Sequence, residues 1–148
     1  MDESAYRQAL TASIARHCPF EKSVLTNCAA CSKAVKHNIA EREVVACDNT
    51  EAHQRCIELR DLLRHSFTFA LGKSHIDGPL PHAQEMRMQC GGLRGLQFAL
   101  DVGVVQDVDD EVRDVVALLA AAQQRYGELA DFPYSLIVQR ASNHYKAR

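Results

Sequence analysis

Glycine and proline are scarce in this chain of 148 residues, 7 and 4 respectively, so few positions force the backbone out of regular structure. No β-branched segment alternates for more than a few residues, which argues against a sheet, while apolar side chains recur at spacings of three and four almost throughout. The chain is therefore expected to fold as an all-α single domain, a bundle of five to six helices spanning residues 1–148. Long hydrophobic runs are also missing. The longest, Val115 to Ala122, is far too short to cross a bilayer, and the acidic start Met1-Asp2-Glu3-Ser4 has no apolar stretch behind it to serve as a secretory signal. A cytoplasmic protein with no membrane association is the expectation. Charge of neither sign collects: 17 Lys and Arg against 19 Asp and Glu leave a net charge of -2 and no block that would mark a nucleic-acid footprint.

Several site signatures are absent as well. None of His17, His37, His53, His65, His75, His82 or His144 follows a Glu by three positions, which excludes the paired Glu-x-x-His pattern of a di-iron bundle. One CxxC pair, Cys28 and Cys31, has no second CxxC or HxxxH downstream, so no standard zinc finger is present, and ferredoxin-type cysteine runs are equally missing. No strand is expected before that pair, which argues against thioredoxin-type exchange. Ser74 and Asp77 have no triad partners that spacing can supply, and nothing points to a hydrolase. An enzyme ranks below a binding protein.

What the chain does have is six cysteines, spaced Cys18-x9-Cys28-x2-Cys31-x15-Cys47-x8-Cys56-x33-Cys90. In a reducing compartment such a set points to metal binding before it points to disulfides, although free cysteine is also a common small core residue, and that is the leading reading of Cys18 or Cys90 taken singly. The periodicity predicts a helix over 2–17 with the stripe Tyr6, Leu10, Ile14 and His17. A second helix from Pro19 carries Phe20, Val24, Cys28, Cys31, Val35 and Ile39, unless Asn27 caps a fresh start at Cys28. Asp48 with Glu51 resembles a capping pair for a third helix, 49–71, with Cys56, Leu59, Leu63, Phe67 and Ala70 inward and Gly72 at its end. Residues 72–82 read as a surface loop and a candidate lid. A fourth helix over 82–101 presents Met86, Cys90, Leu93, Leu96 and Leu100 and holds Gly91, Gly92 and Gly95 inside it, which implies close approach of a backbone or a bulky ligand. A fifth starts near 107–111 and ends at Gly127; Pro133 opens the last, with Tyr134, Ile137, Ala141 and Tyr145 inward.

Straight antiparallel packing of helices two to four would gather Cys28, Cys31 and Cys90 and leave Cys47 and Cys56 at the opposite end. A site joining the two groups needs a break within 32–46, for which "KHN" at 36–38 is a weak candidate. At about 1.5 Å per residue, Cys47 and Cys56 stand roughly 12 Å apart along a helix axis, too far for one zinc bonded at about 2.3 Å unless the chain folds back before Asp48.

More than four thiols, the missing His motif and the small neighbours Ala29, Ala30, Ala46, Gly91 and Gly92 favour an iron–sulfur cluster held by cysteines drawn from Cys18, Cys28, Cys31, Cys47, Cys56 and Cys90, with Cys28 and Cys31 the firmest ligands. Electron transfer, cluster delivery or sensing is the expected role, with a protein as partner. The alternative is an interaction or regulatory bundle with a structural zinc, or with only buried thiols, whose glycine-rich fourth helix and 72–82 loop receive that partner. His53, one turn before Cys56, is a weaker candidate ligand. His75 and His82 with Arg64, Arg87 and Arg94 could gather an anion, but read more simply as a solvated face.

Overall fold

The computed structural model describes residues 2–70, 80–100 and 111–146, with side chains as far as 141 in the last stretch. Among these residues the order is α1 (Glu3–Ser13), α2 (Glu21–Leu25), β1 (Ala34–Ile39), β2 (Arg42–Cys47), α3 (Thr50–Ala70), α4 (His82–Leu100), α5 (Val115–Tyr126), a 3-10 turn (Leu129–Asp131) and α6 (Tyr134–Lys146). The all-α expectation is thereby corrected. The described chain is mostly helical, but β1 and β2 form a two-stranded antiparallel sheet.

Helices α3 to α6 follow the apolar periodicity closely. In α3 the buried stripe is Ala52, Cys56, Leu59, Leu63 and Phe67, as a 3.6-residue repeat requires, while Ala70 is exposed. Its cap is Asn49 rather than Asp48: the Asn49 carboxamide oxygen accepts the Ala52 N–H at 2.8 Å. In α4, Met88, Cys90, Leu93 and Leu96 are buried and Met86 is only half-buried. The interior glycines have the expected compensation. A Cβ on Gly95 would lie 2.8 Å from the Ile137 carbonyl oxygen, so the α6 backbone crosses α4 there, whereas one on Gly92 would meet only the flexible Leu63 side chain at 2.9 Å. Helix α5 starts later than expected, capped by the Asp114 carboxylate on the Val116 N–H. Gly72, most of the expected 72–82 loop, the stretch 107–110 and the Tyr145 side chain lie outside the described residues. No described helix is long and apolar enough to cross a membrane.

The amino-terminal third departs from the helical reading. Helix α1 ends at Ser13 rather than 17, and α2 ends after five residues because Asn27 takes a left-handed φ of 63° that turns the chain away. Cys28 and Cys31 therefore lie on an extended connection and not on a helical face. The hairpin pairs Ala34 with Cys47 and Ile39 with Arg42, and residues 36–38 lie inside β1 rather than at a break. Its two-residue turn, Ala40 and Glu41, has φ of 52° and 69°. Consecutive positive φ values match the twist of a tight hairpin but normally call for Asn-Gly; with side chains present each position is strained by roughly 1 kcal/mol. Ala40→Asn with Glu41→Gly is expected to stabilise the protein by about 1–2 kcal/mol, read as a higher urea midpoint at unchanged slope. A lowered midpoint would show that the turn is not the strained element. Tyr6, Ile14, Ile39 and Val44 make a small second core between α1 and the hairpin, closed by the Arg42 guanidinium 4.0 Å above the Tyr6 ring.

Candidate metal centre

Four cysteines reach one cavity from four different segments. The chain before α2 runs back along β2: the Cys18 N–H donates to the Val45 carbonyl at 2.9 Å and the Cys47 N–H to the Arg16 carbonyl at 2.8 Å, which sets Cys18 beside the end of β2. The connection after α2 runs parallel to residue 112, with the Ala30 N–H on the Val112 carbonyl at 2.8 Å and the Val115 N–H on the Ala30 carbonyl at 2.9 Å. That pairing lays Cys31 against the start of α5. The hairpin then returns the chain, so Cys47, at its far end, sits opposite Ala34 and just before the α3 cap, and Cys56 faces inward from the second turn of α3. The break expected within 32–46 is the hairpin turn at Ala40 and Glu41, which returns Cys47 to the neighbourhood of Ala34 and Cys31.

Cys18, Cys31, Cys47 and Cys56 line the same space, and its other walls are apolar: Pro19, Phe20, Val24, Ala34, Ala46, Ala52, Val115 and Val116. The cavity between them measures about 10 Å³, on the order of one water-sized sphere. The thiols ring this space without meeting at a point, for among the described residues no three His, Cys, Asp or Glu side chains converge closely enough to hold a metal ion.

Burial is the main force on these thiols. It pushes Cys18 and Cys56 up to about 12, and the neighbouring cysteines add to the rise, Cys31 and Cys47 acting on Cys18 and all three others on Cys56. Burial raises Cys31 as well, opposed by N–H groups of Lys33 and Val116 that donate to its sulfur; the Phe20 N–H does the same for Cys18. The Cys47 thiol donates to the Asn49 carbonyl at 3.3 Å. Cys18, Cys31 and Cys56, raised by burial in an apolar pocket, stay protonated unless a cation takes the place of their protons. Backbone N–H groups already aimed at two of the sulfurs, and the first turn of α5 beside Cys31, would favour the ionised form once a cation is there.

Cys28 and Cys90, expected to lie with Cys31, form a disulfide with their α-carbons 6.0 Å apart, and so are not among the free thiols. His53 is engaged elsewhere: its Nε2 donates to the His17 carbonyl at 3.0 Å. Arg64 lies against Glu85 at 2.7 Å and His82 lies 3.0 Å from the Lys22 ammonium, while His75 is outside the described residues. The N–H donors at Phe20, Lys33 and Val116 were not foreseeable from spacing, because backbone donors leave no mark on residue type. Comparisons with protein-family models, with curated proteins and with solved structures find no match.

Proposed function

We propose that Cys18, Cys31, Cys47 and Cys56 hold an iron–sulfur cluster and that the chain serves as an electron-transfer or sensing protein. One observation carries this reading: all four free cysteines, and no other ionisable side chain, line a single apolar cavity. An all-thiolate donor set suits iron–sulfur chemistry. The spacing x12, x15 and x8 contains no short ligand pair of the kind that structural zinc sites use. Thiols that encircle a space without converging on its centre also suit a body of several atoms better than one ion bonded at about 2.3 Å. Ala34, Ala46 and Ala52 present the smallest side chains with a Cβ, so the thiolates can swing outward without displacing large groups. Cys56 is buried while the other three are half-buried, so a centre held by them would lie just beneath the surface, within reach of a docked redox partner.

The all-thiol donor set also allows a second reading, a single zinc ion, for which the sulfurs would have to close in on one point. Anaerobic reconstitution with ferrous iron and sulfide separates the two. A brown protein with stoichiometric iron and acid-labile sulfide supports the cluster; a colourless protein that takes up one zinc and unfolds on chelation supports the ion. Uptake of neither metal refutes both.

A further inference from the structure

We infer that the outer edge of β1 docks a second copy of this chain, with the two β1 strands paired antiparallel across a two-fold axis at His37. The inference is independent of the four-thiol site. Successive residues of a strand turn their N–H and C=O groups to opposite sides. The Cys47 N–H donates to the Arg16 carbonyl, the Val45 carbonyl accepts the Cys18 N–H, and the Val45 N–H donates to the Glu21 carboxylate at 2.8 Å. Residues 45 and 47 thus face away from β1, and Arg42, Val44 and Ala46 face toward it. Their partners in the hairpin register are Ile39, His37 and Val35. The backbone groups of Lys36 and Asn38 therefore point outward, and among the described residues no hydrogen bond reaches them. Val35, Lys36, His37 and Asn38 are all exposed, Val35 at 41% despite its apolar side chain.

An open edge accepts another strand unless charge, proline or a covering element prevents it, and the side chains of β1 select which strand. Three two-fold registers let its outward groups meet their own copies. Centring on Lys36 sets two ammonium groups opposite each other. Centring on Asn38 sets Lys36 against Ala40, where a φ of 52° has already left the extended conformation. Centring on His37 sets Lys36 opposite Asn38 twice, which gives four backbone hydrogen bonds and opposes no two lysines. On one face Val35 then meets Ile39 of the second copy, an apolar pair at the margin of the small core of Tyr6, Ile14 and Val44. On the other face Asn38 is paired with Glu43 inside the hairpin, so each Lys36 looks across Asn38 at a Glu43 of opposite charge, two strands or about 10 Å away. The edge is thus complementary to itself, which favours a second copy over an unrelated extended segment. Six residues make a small interface, so the dimer is weak and half-formed at about 10–100 μM.

Sedimentation of the full chain over about 5 to 200 μM should show a monomer converting to a dimer as concentration rises. Asn38→Pro removes an outward N–H from an edge position, where proline is tolerated, and is expected to weaken association at least tenfold with the helical circular dichroism unchanged. The register is read by cross-linking. Two residues at a non-hydrogen-bonded position stand with α-carbons about 4.5 Å apart, so His37→Cys should give a dimer joined through residue 37 on mild oxidation, identified by peptide mass, whereas Lys36→Cys should not join to itself. If Asn38→Pro fails to fold, the sedimentation of the native chain and the comparison of positions 37 and 36 decide. A native chain that stays monomeric to about 200 μM overturns the inference and leaves the edge to an extended segment of another protein or to solvent. A dimer that Asn38→Pro leaves intact, or one that links through residue 36 and not 37, overturns it as well.

Discussion

Cys56→Ser is expected to abolish the visible chromophore of the reconstituted protein, and stability against pH should then lose the difference between metal-free and metal-loaded forms. Without metal, the folded chain keeps the Cys56 thiol protonated to about 12 while the unfolded chain ionises near the ordinary value of 9.0. A folded value raised above the unfolded one contributes stability that is present below 9.0 and disappears as pH climbs toward 12, by about 1.4 kcal/mol per pH unit for this buried group. With metal bound the thiols are already deprotonated in the folded state, and the unfolded state binds more protons below 9.0. Stability of the loaded protein therefore rises with pH up to that point. Thermal melts between pH 6 and 11 should show stability rising toward pH 9.0 only in the loaded native protein and falling above it only in the metal-free one, against a single shared profile for Cys56→Ser. Parallel slopes in the native sequence would mean that the thiols are not ligands.

The helical half of the molecule was legible because α3 and α5 bury one face each, which writes its period into residue type, and because α4, buried all round, is apolar or small throughout residues 90–93 and 95–96. The stretch 21–47 was not, for two local reasons. Val24, Cys28, Cys31, Val35 and Ile39 fall at spacings of three and four by coincidence, while the feature that ends α2, a left-handed Asn27, is a backbone choice that Asn permits without announcing. The hairpin turn lacks Asn-Gly, so the one short-range mark that separates a hairpin from a helix was missing, and only the pair Val44-Val45 hinted at a strand. The site inherited both errors. The number of cysteines could be read directly; which of them are free depended on Cys28 leaving the helical face and finding Cys90, a contact 62 residues away in sequence. The chain does reverse within 32–46, through a sheet that no residue spacing announced.

Arg64→Met is expected to be the most destabilising single change outside the cysteines, because it strands a buried charge. The Glu85 side chain is 2% exposed, and the Arg64 guanidinium donates to both of its oxygens, at 2.7 Å from Nη2 and 3.2–3.3 Å from Nε. The Leu80 N–H and the Gln89 carboxamide complete the shell. Gln89 in turn accepts the Ser23 N–H at 3.2 Å, and the Ser23 carbonyl accepts the N–H groups of Cys28 and Ala29, so the pair anchors a chain of bonds from α3 through α4 to the connection that carries Cys31. Removing one partner of such a pair costs about 3–5 kcal/mol, on the order of 10 °C in melting temperature for a chain of this size. Burial alone would raise the Glu85 carboxyl; the Arg64 and Gln89 hydrogen bonds, with the Arg64 charge and the Leu80 N–H, outweigh it and hold the group below 4.5. In the native protein this contribution is present above 4.5 and is lost as pH falls through the lowered value. In Arg64→Met burial acts without the guanidinium to oppose it, so the carboxyl rises and the penalty is largest near neutrality and shrinks in acid. Arg64→Met with Glu85→Gln, which keeps an acceptor for the Leu80 N–H and removes the charge, should recover most of the loss. A single variant that loses under about 1 kcal/mol at pH 7 and shows no relief at pH 4 would mean that water reaches the pair and that the anchor lies elsewhere.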